Sequence, residues 1–220
     1  MIDSSRPANP IAARARARMI EHLRKLGIRD ETVLDAMNRI PRHAFVEEAL
    51  ASRAYEDTAL PLGFQQTISQ PFVVARMLEL LAAGGRALGK TLEVGTGCGY
   101  QAAVLSCLSS DVYTMERIAK LLDRARSNLR PLRLPNVRLK HGDGNLGLPE
   151  VAPFDTIILA AAASKVPEAL LKQLARGGRM VMPLGTSSQV ILMIEHGATG
   201  GFKETRLDAV RFVPLLAGTE

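Results

Sequence analysis

The chain has few cysteines, few aromatic residues and no long apolar run. Its 220 residues include only Cys98 and Cys107, too few for a disulfide scaffold or for the spacing of a zinc or iron–sulfur site. No apolar stretch approaches the roughly 18 residues that span a bilayer, and the polar beginning of the chain lacks the apolar core of a signal peptide. We therefore expect a cytoplasmic protein with no membrane partner and no bound metal.

The scarcity of aromatic side chains affects how the basic net charge of the chain is interpreted. The net charge is +6 and the pI near 9.7, which raises the question of nucleic acid. However, aromatic residues make up 4% of the chain and tryptophan is absent, so platforms for stacking bases are scarce. Much of the basic excess lies in the first 30 residues, in a pattern typical of an amphipathic helix. We interpret it as a solvated face rather than a nucleic-acid site.

A glycine-rich turn is the most informative feature that is present. Residues 91–94 form an apolar strand pattern containing Glu93, and Gly95-Thr96-Gly97-Cys98-Gly99 leads from it into a predicted helix over 100–108. Glycines let the backbone turn tightly and let a ligand lie against it. The spacing matches neither a dinucleotide fingerprint nor a Walker loop. Because Glu93 would repel a pyrophosphate, a cationic nucleoside such as S-adenosylmethionine (SAM) fits the turn better.

Two further carboxylates follow strands that come later in the chain. Glu116 ends a strand over 111–115, about 20 residues after the turn, where an acidic side chain usually binds ribose hydroxyls. A strand over 137–140 runs into Gly142-Asp143-Gly144, which places a carboxylate where an adenine amino group could be held. Since ligands of α/β folds bind beyond the carboxyl ends of the strands, we expect these groups to share one site.

The alternation of strands and helices predicts an α/β fold with a mostly parallel sheet. A fourth strand is predicted over 154–159, and we interpret it as a mainly apolar run in a sheet covered on both faces. Strands over 179–183 and 189–195 are too close in sequence for a parallel crossover, so we expect them to pair antiparallel. A last strand is predicted over 209–215. Residues 90–220 thus form the sheet core of a single domain, and residues 1–89 a helical cap at its ligand edge.

Capping signals predict the helices of residues 1–89. Asn9-Pro10 begins the first helix, which Gly27 ends, and Asp30 caps a second helix that ends before Pro41. Residues 42–70 are predicted to be mostly loop with a short helical piece over 45–50. Pro71 begins an amphipathic helix that ends at the glycine pair 84–85.

With these residues in view, the chain resembles the protein-L-isoaspartate O-methyltransferase family. The resemblance covers nearly all of residues 18–216, and its most specific block is Thr-Ile-Ser-Gln-Pro at 67–71. Further blocks lie at residues 41–43, 54–57, 60–63, 93–103, 142–144, 152–155 and 212–215. The resemblance implies a Rossmann-like class I SAM methyltransferase, acting as a monomer. It also implies SAM as donor, S-adenosylhomocysteine as product and the free α-carboxylate of L-isoaspartyl residues in damaged proteins as acceptor.

The resemblance also implies roles for individual residues. Ser69 matches the family's active-site serine, and Gln66, Thr67 and Ile68 match residues that line cofactor and acceptor. Val213 matches a segment whose backbone holds the substrate peptide. Cofactor binding is implied for Glu93, Gly95, Thr96, Gly97, Gly99, Glu116, Asp143 and Gly144. From the residues alone, Ser69 could instead simply cap the helix that begins at Pro71, and Cys98 could be a nucleophile rather than a small filler of the turn.

Three other functions compete with this interpretation. A nucleic-acid methyltransferase would share the cofactor site, but base methylation calls for an Asn/Asp-Pro-Pro-aromatic loop, and residues 160–164 read Ala-Ala-Ala-Ala-Ser. A metal-dependent catechol-type enzyme would need a cluster of acidic ligands that the sequence lacks. A module that only binds SAM or damaged protein would be expected to lose Ser69 or the glycine turn, and both are intact.

Overall fold

We describe a computed structural model in which residues 10–220 are placed; the predicted cap at Asn9 lies outside them. The elements follow one another along the chain as α1 (Pro10–Lys25), α2 (Glu31–Arg39), β1 (Leu60–Gly63), β2 (Gln66–Ile68), α3 (Pro71–Ala82), β3 (Lys90–Val94), α4 (Tyr100–Ser106), β4 (Asp111–Glu116), α5 (Ala119–Leu129), β5 (Val137–His141), β6 (Phe154–Leu159), α6 (Glu168–Gln173), β7 (Leu174–Gly185), β8 (Gln189–His196) and β9 (Phe202–Val210). Short 3₁₀ helices cover Arg42–Phe45, Glu48–Arg53 and Arg130–Leu132. No helix within residues 10–220 is long and apolar enough to cross a membrane.

Seven strands form one mixed sheet in the order β5-β4-β3-β6-β7-β8-β9. In this order, the first five strands (β5, β4, β3, β6 and β7) pair in parallel. The last three strands (β7, β8 and β9) pair antiparallel, which confirms the predicted mixed sheet. The chain runs outward from β3 to β5 and then returns to place β6 on the other side of β3. This reversal creates a crevice at the carboxyl ends of β3, β4 and β6, where α/β folds bind ligands.

Apolar side chains cover both faces of the sheet. Neighbouring residues of β6 belong to different apolar clusters: Ile158 to the cluster that includes residues of α1 to α5, and Ile157 to the cluster that includes residues of α6 and β8. Successive side chains of a strand point to opposite faces, so β6 is covered on both sides, as predicted. The predicted apolar run is not continuous, however, because Asp155 is exposed and the buried Thr156 is polar.

The predicted helix caps agree with the structure where it describes them. The Asp30 carboxylate accepts hydrogen bonds from the backbone N–H groups of Thr32 and Val33 at 2.9 and 3.1 Å, as an N-cap should. Gly27 adopts a φ of 106°, which allows the chain to leave α1. Pro71 occupies the first turn of α3, where a missing N–H costs nothing.

The predicted loop over 42–70 contains a β-hairpin that the sequence pattern did not reveal. β1 and β2 pair antiparallel with Leu60 opposite Ile68, and two short 3₁₀ helices precede them. The connecting residues Phe64 and Gln65 have φ values of 51° and 57°, although neither is a glycine. Hairpin turns of this kind favour Asn-Gly or Gly-Gly, so the usual sequence signal for the hairpin is missing.

The last strand was predicted in the wrong place. β9 covers Phe202–Val210, not residues 209–215, and most of its side chains are exposed at the edge of the sheet. The pattern of residues 209–215 resembled a strand because Phe212, Val213 and Leu215 are apolar. Pro214 has no N–H for a ladder, and the chain instead crosses to the segment that follows β6, where Ala162 donates to the Val213 carbonyl at 2.8 Å. Val213 thereby reaches the crevice.

Candidate active site

A cavity of about 850 Å³, its open mouth included, lies at the carboxyl ends of β3, β4 and β6. It collects most of the site residues predicted from sequence. Those that line it are Gln66, Thr67, Ile68, Ser69, Gly95, Thr96, Gly97, Glu116, Gly144 and Val213. Glu93, Gly99 and Asp143 are not among the lining residues, and each contacts the site from beside or behind it.

The glycine turn is held tightly against β4. The backbone N–H groups of Gly95 and Thr96 both donate to the Met115 carbonyl, at 2.9 and 3.0 Å. Gly95, Gly97 and Gly99 have φ values of 96°, 55° and 89°, a region that side chains disfavour. Gly99 has a packing reason as well, because a Cβ there would lie 3.0 Å from Leu129 Cδ1 on α5. The turn therefore requires glycine both for its backbone path and for the contact between α4 and α5.

Glu116 presents a fixed carboxylate to the cavity. Its Oε2 accepts a hydrogen bond from the Gly97 N–H at 2.9 Å, and its Oε1 accepts one from the Ile118 N–H at 3.0 Å. The residue is 6% exposed, so these bonds hold the side chain in one orientation. Each carboxylate oxygen can accept a further hydrogen bond. This arrangement suits a ligand with a pair of neighbouring hydroxyl groups.

Glu93 lies entirely buried beneath the cavity floor. Its Oε2 accepts a hydrogen bond from the Thr114 hydroxyl, whereas its Oε1 has no hydrogen bond of good geometry within residues 10–220 and interacts more loosely with the Gln101 amide. Burial raises the pKa of Glu93 to about 8. The carboxyl group is thus mostly protonated at neutral pH, and a cation bound in the cavity would favour its ionised form.

This burial predicts a pH-dependent stability. In the unfolded chain Glu93 ionises near its ordinary pKa of 4.5, so the native state gains from the neutral carboxyl below that pH and loses this gain as pH rises toward 8. We expect the stability of Glu93→Gln relative to the wild type to increase by about 1.4 kcal/mol per pH unit between about pH 5 and pH 7.5. Urea unfolding without cofactor measures it. The control is Glu150→Gln at an exposed position, whose free energy of unfolding should vary with pH as that of the wild type does. If the free energies of unfolding of Glu93→Gln and the wild type differed by the same amount at every pH, the prediction would be contradicted.

Asp143 and Gly144 lie at the side of the cavity nearest β5. The Asp143 carboxylate accepts hydrogen bonds from the Gly218 N–H at 2.7 Å and from the Asn145 N–H at 2.8 Å. Partial burial opposes ionisation, but these donors outweigh it and lower the pKa of Asp143. Gly144 is required for packing, since a Cβ there would lie 2.3 Å from Val94 Cγ1.

The opposite wall comes from the hairpin and the residues that follow it. Gln66, Thr67 and Ile68 lie on β2, and Ser69 stands between β2 and α3. The first turn of α3 is capped by Asp57, whose Oδ1 accepts from the Phe72 N–H at 2.8 Å. The structure therefore assigns the capping bond to Asp57, and within residues 10–220 the Ser69 hydroxyl makes no hydrogen bond.

Some residues of the wall were not predicted from sequence. Tyr100 and Gln101 line the cavity from the first turn of α4, and Arg42 lies behind Ser69 in a 3₁₀ helix. Only the three-dimensional fold brings Arg42 to the site, because 27 residues separate it from Ser69. Cys98 also lines the cavity, but burial raises the pKa of its thiol to about 11, which argues against a nucleophilic thiolate.

Comparison with known proteins identifies the family. A family model described as protein-L-isoaspartate(D-aspartate) O-methyltransferase (PCMT) matches residues 14–220. The chain belongs to this family. A protein-L-isoaspartate O-methyltransferase from Azoarcus sp. (strain BH72) is 66% identical over 209 residues, covering 95% of this chain and 96% of the relative. Another from Aromatoleum aromaticum is 66% identical over 220 residues, covering 99% of this chain and all of the relative.

Solved structures of the PCMT family share the fold. One protein-L-isoaspartate O-methyltransferase superposes with a TM-score of 0.81 at 29% identity, and the match covers 90% of this chain and 65% of that one. A family structure from Plasmodium falciparum, in complex with S-adenosyl-L-homocysteine, gives a TM-score of 0.79 at 26% identity over 90% of this chain and 97% of that one. The Rossmann-like class I methyltransferase fold expected from the sequence is thereby confirmed.

Proposed function

We propose that the cavity binds SAM against the glycine turn and Glu116, and that Ser69 places an L-isoaspartyl carboxylate opposite it. Methylation of such carboxylates, the first step of their repair, is the activity of the PCMT family to which the chain belongs. The observation that carries the assignment of residues is that Ser69 and Glu116, on opposite walls, line one cavity. A donor and an acceptor bound there would meet inside it.

The chemistry of the cavity wall fits SAM. A SAM molecule combines a sulfonium cation with a ribose diol. Glu116 offers two fixed acceptor oxygens for the diol, and Glu93 beneath the floor can supply a negative charge, because a bound cation favours its ionised form. The positive φ values of Gly95 and Gly97 keep the backbone close to any ligand lying there. We assign Thr96, Gly144 and Asp143 to the same half of the site, with Asp143 toward the adenine.

The acceptor half needs positioning rather than a base. Bound SAM supplies an electrophilic methyl group, which passes to a carboxylate oxygen and leaves a methyl ester and S-adenosylhomocysteine. The acceptor is already ionised at pH 7, so no residue has to remove a proton. Because charge is lost on the way to the transition state, direct pairing with a cationic side chain would stabilise the ground state more. A neutral donor such as the Ser69 hydroxyl avoids that cost.

The substrate peptide has to extend beyond the cavity. We assign Gln66, Thr67 and Ile68 to the side of the acceptor and Val213 to the peptide backbone. The Val213 carbonyl accepts a hydrogen bond from the Ala162 N–H in the segment that follows β6, and this bond fixes Val213 at the cavity edge. Contacts to a peptide backbone would accept many sequences around the damaged residue. In this arrangement residues 10–89 supply most of the acceptor wall, to which Val213 is added from later in the chain, and residues 90–220 carry the cofactor wall of a single domain.

We further propose that the protein works as a monomer in the cytoplasm, without metal or nucleic acid. The reaction joins an anion to an electrophilic methyl group and needs no Lewis acid. Two free thiols, Cys98 and Cys107, suit a reducing compartment.

Ageing of a protein substrate tests the proposed function. A test protein incubated at neutral pH accumulates isoaspartyl sites with time and is then exposed to this enzyme and methyl-labelled SAM. We expect incorporated label to rise with ageing time and to be released as methanol in base, as a methyl ester requires. Label that is independent of ageing, or that transfers to tRNA instead, would contradict the proposal.

A further inference from the structure

Arg42 is a buried cation that forms no direct ion pair within the described part of the chain. It belongs to the 3₁₀ helix Arg42–Phe45 and is 0% exposed. It takes part in none of the ion pairs found among residues 10–220, although the Asp57 carboxylate acts on it electrostatically. Burying a charge outside an ion pair is unfavourable, so a task that a neutral residue could not perform would explain an arginine here.

The guanidinium is bound to the rear of the acceptor wall. Its Nη2 donates to the Ser69 carbonyl at 2.7 Å, and its Nε donates to the Ala54 carbonyl at 2.8 Å. The guanidinium carbon, Cζ, lies 4.8 Å from the centre of the Tyr100 ring. Both Tyr100 and Ser69 line the cavity. Neither the third nitrogen, Nη1, nor the buried Tyr100 hydroxyl has a hydrogen bond of good geometry within residues 10–220, but the guanidinium and the hydroxyl interact with each other. The positive charge is therefore one residue removed from the cavity.

We propose that Arg42 is a positioning residue for the methyl acceptor: it fixes the backbone of Ser69 and attracts the acceptor carboxylate without touching it. The inference rests on the proposed function of the same cavity. A cation in direct contact would pair with the carboxylate and hold back the oxygen that must react. A cation behind Ser69 still favours entry of an anion, since little water separates the two. Because Arg42 does not touch the acceptor, the carboxylate oxygen that attacks the methyl group receives hydrogen bonds only from neutral donors.

The shape of the arginine side chain suits this double role. Its planar fork directs separate N–H groups at the carbonyls of Ala54 and Ser69 while its face stacks on Tyr100. Lysine would keep the charge but could not bind both carbonyls in the same geometry. Glutamine would keep some hydrogen bonding and lose the charge. The two substitutions therefore separate the electrostatic role from the structural one.

The test compares two peptides that differ only at the acceptor group. One carries an L-isoaspartyl residue with its free α-carboxylate, and the other carries the corresponding neutral α-carboxamide. Their affinities are measured by calorimetry in the presence of S-adenosylhomocysteine, together with the affinity for SAM. For Arg42→Gln we expect the carboxylate peptide to bind about tenfold more weakly, with the carboxamide peptide and SAM within about twofold of wild type. Arg42→Lys should preserve the preference for the carboxylate peptide.

The control is Arg179→Lys, because Arg179 also anchors a backbone carbonyl, that of Ala83 at 2.6 Å, but does not line the cavity. It should leave both peptide affinities unchanged. Equal losses for the two peptides in Arg42→Gln would overturn the inference, since they indicate a purely structural role. If Arg42→Gln does not fold, Arg42→Lys decides, and loss of its preference for the carboxylate overturns the inference. A wild-type enzyme that does not methylate the isoaspartyl peptide would overturn the proposed function as well.

Discussion

Replacing Ser69 by alanine should lower kcat/KM for an isoaspartyl peptide about 100-fold, because the acceptor carboxylate loses the neutral donor that positions it. Affinity for SAM should stay within about twofold, since Ser69 stands on the wall opposite Glu116. Steady-state methyl transfer and calorimetry of SAM binding measure the two quantities. The free energy of unfolding should change little, because Asp57 supplies the cap of α3 and the Ser69 hydroxyl makes no hydrogen bond within residues 10–220.

Ser127→Ala is a matched control for this variant. The Ser127 hydroxyl donates to the Asp123 carbonyl on α5 and does not line the cavity, so its loss should leave turnover unchanged. Unchanged turnover in Ser69→Ala would remove Ser69 from the mechanism. A large loss of SAM affinity in the same variant would place the serine in the cofactor half instead.

Replacing Glu116 by glutamine should weaken SAM binding about 100-fold. The glutamine amide group cannot accept hydrogen bonds on both of its ends, so either the Gly97 or the Ile118 N–H loses its partner and the turn shifts. The neutral side chain also forms weaker hydrogen bonds to ribose hydroxyls than the carboxylate does. Calorimetry with SAM and with S-adenosylhomocysteine measures the loss.

The two ligands separate the contributions to this loss. S-Adenosylhomocysteine has the same ribose but no sulfonium charge, so similar losses for both would locate the effect at the hydroxyl groups. Asp123→Asn is the control, because Asp123 is exposed on α5 and, among residues 10–220, its carboxylate pairs only with Arg126. Wild-type affinity of Glu116→Gln for both ligands would exclude Glu116 from the cofactor site.

The cofactor half of the cavity was largely predictable because its signals are local. A strand, a three-glycine turn and a carboxylate at the end of the next strand have spacings that backbone geometry imposes. Parallel pairing of β3 with β4 then brings Gly97 and Glu116 together. The functional roles of all the predicted site residues remain predictions. Most of these residues line the cavity, whereas Glu93, Gly99 and Asp143 surround it without lining it.

The acceptor half was less visible because its determinants are non-local. The hairpin β1–β2 has Phe64 and Gln65 at its turn instead of the usual glycine or asparagine, so the pattern indicated a loop. Arg42 lay in a block that resembles the family, but no role for it followed from the sequence, and only the fold places it against Ser69. The end of β9 at Val210 depends on its pairing with β8, which apolar content alone could not locate.

Methyl transfer to a pair of synthetic peptides tests the central claim most directly. The peptides have the same sequence and differ only in an isoaspartyl or an aspartyl linkage at one position. With labelled SAM, we expect base-labile label on the isoaspartyl peptide and none on its partner. Equal labelling of both, or no label on either while SAM binding is intact, would contradict the assignment of the cavity to isoaspartyl methylation.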